Sequence, residues 1–334
     1  MGKDITKILV ETAVRRTVKN LKKSPEREAR NLVDLGLQLS TGRFQKRLFM
    51  HAQTMLKNQN SAYYTLIKNT AMNVDEDNLV RFSINLGYNS CTKGAKLIRQ
   101  TEAERHYNIP WALNLAVNEE KLTADPDFYP SILRQGKALG IYTYLLFFRE
   151  NPEKILSLVK NEPDCAFIIF LKGKQIKIPF LEKMQSVKNV MISIRSDSEM
   201  PDACHELHDA RILYSVHYLY DERDTEYIIN NDWIKSILPF QPNFALLLSS
   251  TTCSSETQQT VYQYVTDIRE LQKYPVICMD IKQDSLMIDH IISEGECLAG
   301  FDFNGDLRTH KEILHDPRYN INSHSLEEIL KSYS

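Results

Sequence analysis

The stretch 141–171 opens with Ile141-Tyr142-Thr143-Tyr144-Leu145-Leu146-Phe147-Phe148 and closes with Cys165-Ala166-Phe167-Ile168-Ile169-Phe170-Leu171. Between the two lies a polar, helix-periodic segment at 152–160. Short apolar runs rich in Ile, Phe and Tyr suit strands buried on both faces, and a helix between two such strands makes them parallel. Further runs of this kind stand at 79–86, 111–117, 190–194, 213–219, 244–248 and 276–281, so that the eight begin 23 to 32 residues apart. Alternating strand and helix at this spacing predicts an α/β fold. The expected form is a TIM-like (β/α) barrel of six to eight parallel strands. No motif repeats along it, so the repeat is structural.

Upstream, residues 1–78 carry helical periodicity throughout: Ile5, Ile8, Leu9, Val14, Val18 and Leu21 share one stripe. Lys3, Lys7, Arg15, Arg16, Lys19, Lys22 and Lys23 face away from it, against Asp4 and Glu11, a balance of 7 − 2 = +5. Such a face is either solvated or docked on acidic groups. Ser24-Pro25-Glu26 reads as the start of a second helix, with proline at the first helical position. The three parts expected are a helical region at 1–78, a barrel at 79–284 and a small module at 285–334. Only 11 Gly and 12 Pro occur, about 7% of 334 residues against a usual ~12%, which favours tight connections. The formal charge of −2 gives no support to a nucleic-acid binder, and no apolar run approaches the ~20 residues of a membrane span. Six scattered cysteines point to reduced thiols in a cytoplasmic protein. The start Met1-Gly2-Lys3-Asp4-Ile5-Thr6 has the spacing of a myristoylation signal and is read as a chance match.

In a parallel barrel the carboxyl ends of all strands converge on one rim, where binding and catalysis concentrate. The polar residues expected there divide by chemistry. Asp221, His217, Glu119 and Asp280 are candidates for moving protons. Asn85, Tyr88, Asn89, Lys93, Arg149 and Arg195 are candidates for holding an anionic ligand. The first connection, Ile84-Asn85-Leu86-Gly87-Tyr88-Asn89-Ser90-Cys91-Thr92-Lys93-Gly94, reads as a turn feeding a helix, without the spacing of a P-loop or dinucleotide fingerprint. No metal site is expected, since Cys91 is the only metal-ligand candidate in that loop.

Two stretches resemble the radical S-adenosylmethionine (radical SAM) superfamily. Leu133-Arg134-Gln135-Gly136-Lys137-Ala138-Leu139-Gly140-Ile141-Tyr142 is similar to that family's helix leading into its third strand. Cys297-Leu298-Ala299-Gly300-Phe301-Asp302-Phe303-Asn304-Gly305-Asp306-Leu307, followed by Ser325-Leu326-Glu327-Glu328-Ile329-Leu330, looks like the SPASM-type tail of many members. Within it, Asn304-Gly305 signals a type I′ hairpin and Ser325 with Glu328 a capping box. The resemblance implies a barrel, an iron–sulfur cluster and S-adenosylmethionine. That family binds its [4Fe–4S] cluster through C-x3-C-x2-C, because three thiolates leave one iron open for the cofactor. The corresponding loop here has Cys91 alone, so the cysteines do not support the cofactors. The expectation is a binding or accessory protein for a small molecule, a peptide or a protein. The alternatives are a cluster-independent enzyme acting on an anionic small molecule and a radical SAM enzyme with an atypical iron–sulfur site.

Overall fold

The computed structural model describes residues 5–40, 42–293, 295 and 297–333; Gly2, Lys3 and Asp4 of the amino-terminal pattern lie outside them. One sheet dominates. Its parallel strands are β1 (Ala112–Ala116), β2 (Thr143–Phe147), β3 (Ala166–Leu171), β4 (Val190–Arg195), β5 (Tyr214–Tyr220), β6 (Phe244–Ser249), β7 (Ile277–Asp280) and β8 (Ala299–Phe301). They lie in the order β8-β1-β2-β3-β4-β5-β6-β7, and the antiparallel β9 (Leu307–Arg308) and β10 (Ile313–Leu314) extend the β8 edge. Seven of the eight expected strands occur where the apolar runs stand. The chain has the α/β fold expected of it, with a helical region at its amino-terminal side.

Strand alternation divides the side chains into two cores. Leu113, Leu115, Tyr144, Leu146, Phe167, Ile169, Ile192, Val216 and Ala245 point outward under the helices. Leu145, Ala166, Phe170, Met191, Leu213 and Leu246 point into the lumen.

The run at 79–86 is the exception. It belongs to a helix, α5 (Glu76–Ile84), preceded by α1 (Ile5–Leu21), α2 (Pro25–Leu39), α3 (Arg43–Met55) and α4 (Tyr63–Asn73). Its alternation is real, since Asn78, Val80, Phe82 and Ile84 are all buried. The cause is burial on two faces of a helix rather than one face of a strand. Val80 and Ile84, four apart, pack on Val18 of α1, while Asn78 and Phe82, also four apart, face the barrel. Asp75 begins the helix by accepting a hydrogen bond from Asn78 N at 2.9 Å. The residues read as a turn, Asn85–Gly94, continue as a π-helical segment into α6 (Ala95–Arg105). A residue with a side chain would not fit at Gly94, where an added Cβ would stand 2.3 Å from the Gly140 carbonyl oxygen.

The eighth parallel strand is β8, which takes the edge beside β1. Among the described residues, β7 and β8 do not pair, so the barrel is open between them. The helix Ile281–Ile292 bridges that opening. Its Asp289 accepts hydrogen bonds from Trp111 N at 3.1 Å and Cys297 N at 2.6 Å, the residues leading into β1 and β8.

The carboxyl-terminal capping box forms as expected: Ser325 N donates to Glu328 Oε2 at 2.8 Å, and Glu328 N returns a bond to Ser325 Oγ. The turn type differs. Gly305 alone adopts positive φ (+86°), and five residues separate the paired Phe301 and Leu307. A type I′ turn needs positive φ at both central residues, so this is a longer loop with Gly305 in the left-handed position.

Candidate functional site

Parallel strands place all carboxyl ends on one rim and all amino ends on the other. The candidate residues separate accordingly. Asn85 and Asn89 sit at the amino rim, where the π-helical segment closes the base of the barrel. Asn85 Nδ2 donates to the carbonyls of Pro163 (2.9 Å) and Cys165 (2.7 Å), which lead into β3. Asn89 Nδ2 donates to Asp164 O at 2.8 Å and Asn85 Oδ1 at 2.9 Å. Neighbouring Asn78 spans two strands in the same way, donating to Val190 O and accepting from Leu213 N, each at 2.9 Å. Tyr88 and Lys93 belong to the same segment, with Lys93 lying over the Tyr142 ring. These four therefore do not share a rim with Arg149 and Arg195: the strand that would have carried them upward is a helix.

The basic face of α1 docks on this base. Lys7 pairs with Asp164 at 2.7 Å, Arg15 with Asp77 at 2.6 Å, and Lys19 with Glu76 at 3.7 Å. Part of the +5 imbalance is thus met within the chain.

At the carboxyl rim, the four proton-transfer candidates are engaged separately. Glu119 follows β1, and its Oε2 accepts from Asn151 at 2.9 Å and Lys154 at 3.2 Å. Asp221 follows β5 and caps the turn Glu222–Asp224. The Arg223 side chain (2.6 Å) and backbone N–H (2.9 Å) hold its carboxyl down to about 2. Asp280 ends β7 facing outward, away from the lumen. It caps the helix Ile281–Ile292 through Gln283 N and accepts the Tyr220 hydroxyl, each at 2.9 Å. Burial raises its carboxyl to about 6. His217, only 9% exposed, points into the lumen from β5. Burial, with the charge of Arg195 beside it, lowers its pKa to about 3, so the imidazole is neutral at ordinary pH. Ser193 Oγ lies 3.1 Å from its Nδ1, and the Phe170 ring meets it edge-on. None of the four is hydrogen-bonded to another among the described residues, and no acid–base pair is assembled.

The carboxyl rim does carry a cation at the end of each of β2, β3 and β4. Phe147, Phe170 and Ser193 are register partners across β2, β3 and β4. Two positions further along each chain stand Arg149, Lys172 and Arg195, and Arg195 is itself in register with His217. Arg149 stacks on the Phe303 ring at 3.9 Å. Phe303 in turn lines a cavity of about 200 Å³ between the end of β1 and the carboxyl-terminal loop, with Asn118, Lys121 and Asn322. Beneath the row, Ser215 is fully buried on the lumen face and its hydroxyl has no hydrogen-bond partner. Ser193 and Ser215 were not among the sequence candidates. The available signal is a lone hydroxyl at an inward position of an otherwise apolar strand.

The cysteines do not converge. Cys91 and Cys165 lie at the amino rim, and the Cys91 carbonyl accepts a bond from Gln45. Cys204 is in the helix Met200–Asp209, Cys278 points outward from β7, and Cys297 lies near Asn108. Cys253, after β6, is the one near the carboxyl rim, and the loop after β1, Val117-Asn118-Glu119-Glu120, contains none. Burial raises every thiol, to about 11 at Cys253 and about 12 at Cys91, Cys165 and Cys204, which disfavours the thiolate that iron requires. The described residues contain no group of three Cys, His, Asp or Glu able to hold a metal ion. They do not fit a cubane cluster. No described helix is long and apolar enough to cross a membrane.

No protein-family model matches the chain, and no curated protein matches it in sequence. Solved structures of SuiB from Streptococcus suis do match in shape. Bound to its precursor peptide SuiA, SuiB is 11% identical over 70% of this chain and 67% of its own, with a TM-score of 0.50. Bound to S-adenosylmethionine, it matches at 11% identity and a TM-score of 0.45, over 62% of this chain and 60% of that one.

Proposed function

We propose that this radical-SAM-like barrel is a binding or accessory protein that works without an iron–sulfur cluster and takes a peptide as its partner. The observation that carries the reading is the dispersal of the cysteines over both rims, with no thiol in the loop after β1. The partner class is supported by the likeness in fold to SuiB, whose solved complex holds a precursor peptide. The separate engagement of Glu119, His217, Asp221 and Asp280 counts against acid–base catalysis at this rim. Six free, buried cysteines suit a cytoplasmic setting, and the charge of −2 favours no nucleic-acid partner.

Two measurements test this. Anaerobic reconstitution with iron and sulfide should leave the protein colourless and without bound iron; a cubane absorption spectrum with stoichiometric iron would overturn the reading. Panning a random-peptide phage library on the intact protein should enrich peptides that bind it in solution. Failure to enrich any would remove the peptide as partner.

A further inference from the structure

We propose that the arc of Arg149, Lys172 and Arg195, with His217 and the Ser215 hydroxyl beneath it, binds an acidic segment of the peptide partner in extended form. The inference rests on the peptide-binding reading above and adds the chemistry of the ligand.

The arc follows from the fold. Adjacent strands lie about 4.8 Å apart, and the three cations each stand two residues beyond the register row Phe147, Phe170 and Ser193, with Arg149 and Lys172 just past the ends of their strands. None of them forms an ion pair with a described carboxylate. The carboxylates nearby are committed elsewhere: Glu119 to Lys154, Asp221 to Arg223, Asp197 to Glu199 N, Glu199 to Lys174 N and Glu222 to Ser254 N. Glu150, beside Arg149, is exposed. Arg149, Lys172 and Arg195 thus keep their charged groups free of a carboxylate partner among the described residues.

The polar groups beneath indicate what meets them. Ser193 Oγ lies 3.1 Å from Nδ1 of the neutral His217 imidazole, and Ser215 supplies a buried hydroxyl that the protein leaves unpartnered. An unmade bond on a buried hydroxyl is costly, and an entering acceptor recovers it. Three single charges on neighbouring strands, with neutral polar groups below the last, match monovalent carboxylates spaced along a chain better than a compact polyanion. Leu219, 49% exposed on β5, and the half-buried Phe147 and Leu248 add apolar contacts for the segment's other side chains.

The test uses the full chain and two fluorescein-labelled twelve-residue peptides, one alternating Glu with Ser and one alternating Gln with Ser, read by fluorescence anisotropy. The Glu peptide should bind and weaken with salt, and the Gln peptide should not bind. Arg195→Glu and Lys172→Glu should each reduce affinity about tenfold, as expected for reversing a charge opposite a carboxylate. Lys183→Glu, an equal change of net charge on an exposed outer helix, should leave it unchanged. Ser215→Ala should lower affinity two- to threefold while the melting temperature does not fall, since the hydroxyl it removes has no partner in the free protein.

Equal binding of both peptides, or undiminished binding by Arg195→Glu and Lys172→Glu, would overturn the proposal. Equal loss with Lys183→Glu, or full displacement by an oligodeoxythymidylate, would reassign the effect to non-specific charge. Displacement by free glutarate at millimolar concentration would assign the arc to a small acid instead. If phage-selected peptides bind Arg195→Glu and Lys172→Glu as tightly as the native protein, the barrel binds peptides but not through this arc. If no peptide is selected, the broader reading fails first.

Discussion

Asp280 shows how a residue of the right type in the right loop acquires a structural role. Its carboxylate caps a helix, accepts the Tyr220 hydroxyl and lies beside Asp284, which a buried pair with Arg269 at 3.0 Å neutralises. Because burial raises its pKa from 3.8 to about 6, the folded state holds its proton more tightly than the unfolded state does. Stability from this group is complete below pH 4 and is lost as the pH rises through 6, an effect on the order of 2–3 kcal/mol. His217 acts in the opposite sense: its lowered pKa stabilises the fold above pH 6.5 and loses that contribution as the pH falls toward 3. The two slopes partly cancel, so the prediction is a difference. Relative to Asp280→Asn, the native protein should lose stability between pH 4 and 6 in urea titrations; parallel pH profiles would exclude a raised Asp280 pKa. Types and strand ends of these residues were legible in the sequence. The side of the strand was not, since Asp280 shares the outward parity of Cys278 while His217 has the inward one.

At the scale of elements, α5 and the π-helical segment are the instructive pair. A two-residue alternation ordinarily marks a strand with one buried face. Here α5 lies between α1 and the barrel base, and two i,i+4 stripes on opposite faces interleave into the same pattern. The capping signal Asp75-Glu76-Asp77 was present to argue for a helix. Because α5 is a helix, Asn85, Tyr88, Asn89 and Lys93 lie at the amino end of the barrel rather than the carboxyl end. The asparagines have a clear role at the base. Asn85→Ala should cost about 2 kcal/mol, because Pro163 O loses its side-chain donor and Cys165 O keeps only the longer bond from Asn189. Its peptide binding should be unchanged, the opposite rim being untouched. Loss of binding in a folded Asn85→Ala protein would place the ligand site at the base instead.

Over the whole molecule, the sheet is completed by segments far apart in sequence. Asp289 joins the amino-terminal approach to β1 with the approach to β8, from a helix that follows β7 directly. Asp289→Ala would leave two buried N–H groups unpaired, and a loss of about 3 kcal/mol is expected. Amide hydrogen exchange should then accelerate in β8 and the hairpin β9–β10 while β2 to β5 stay protected; uniform acceleration would mean that Asp289 supports the whole fold rather than this closure. The sequence by itself determined the alternating α/β architecture, seven of the eight parallel strands and the capped carboxyl-terminal helix, because periodicity and capping are local properties. It also determined that no cysteine motif for a cubane is present. Tertiary structure decided which rim each loop occupies, which face of each strand looks inward, and that β8 completes the parallel set. Those outcomes depend on contacts between residues over a hundred positions apart, where burial on two faces and hydrogen bonds across layers override the local pattern.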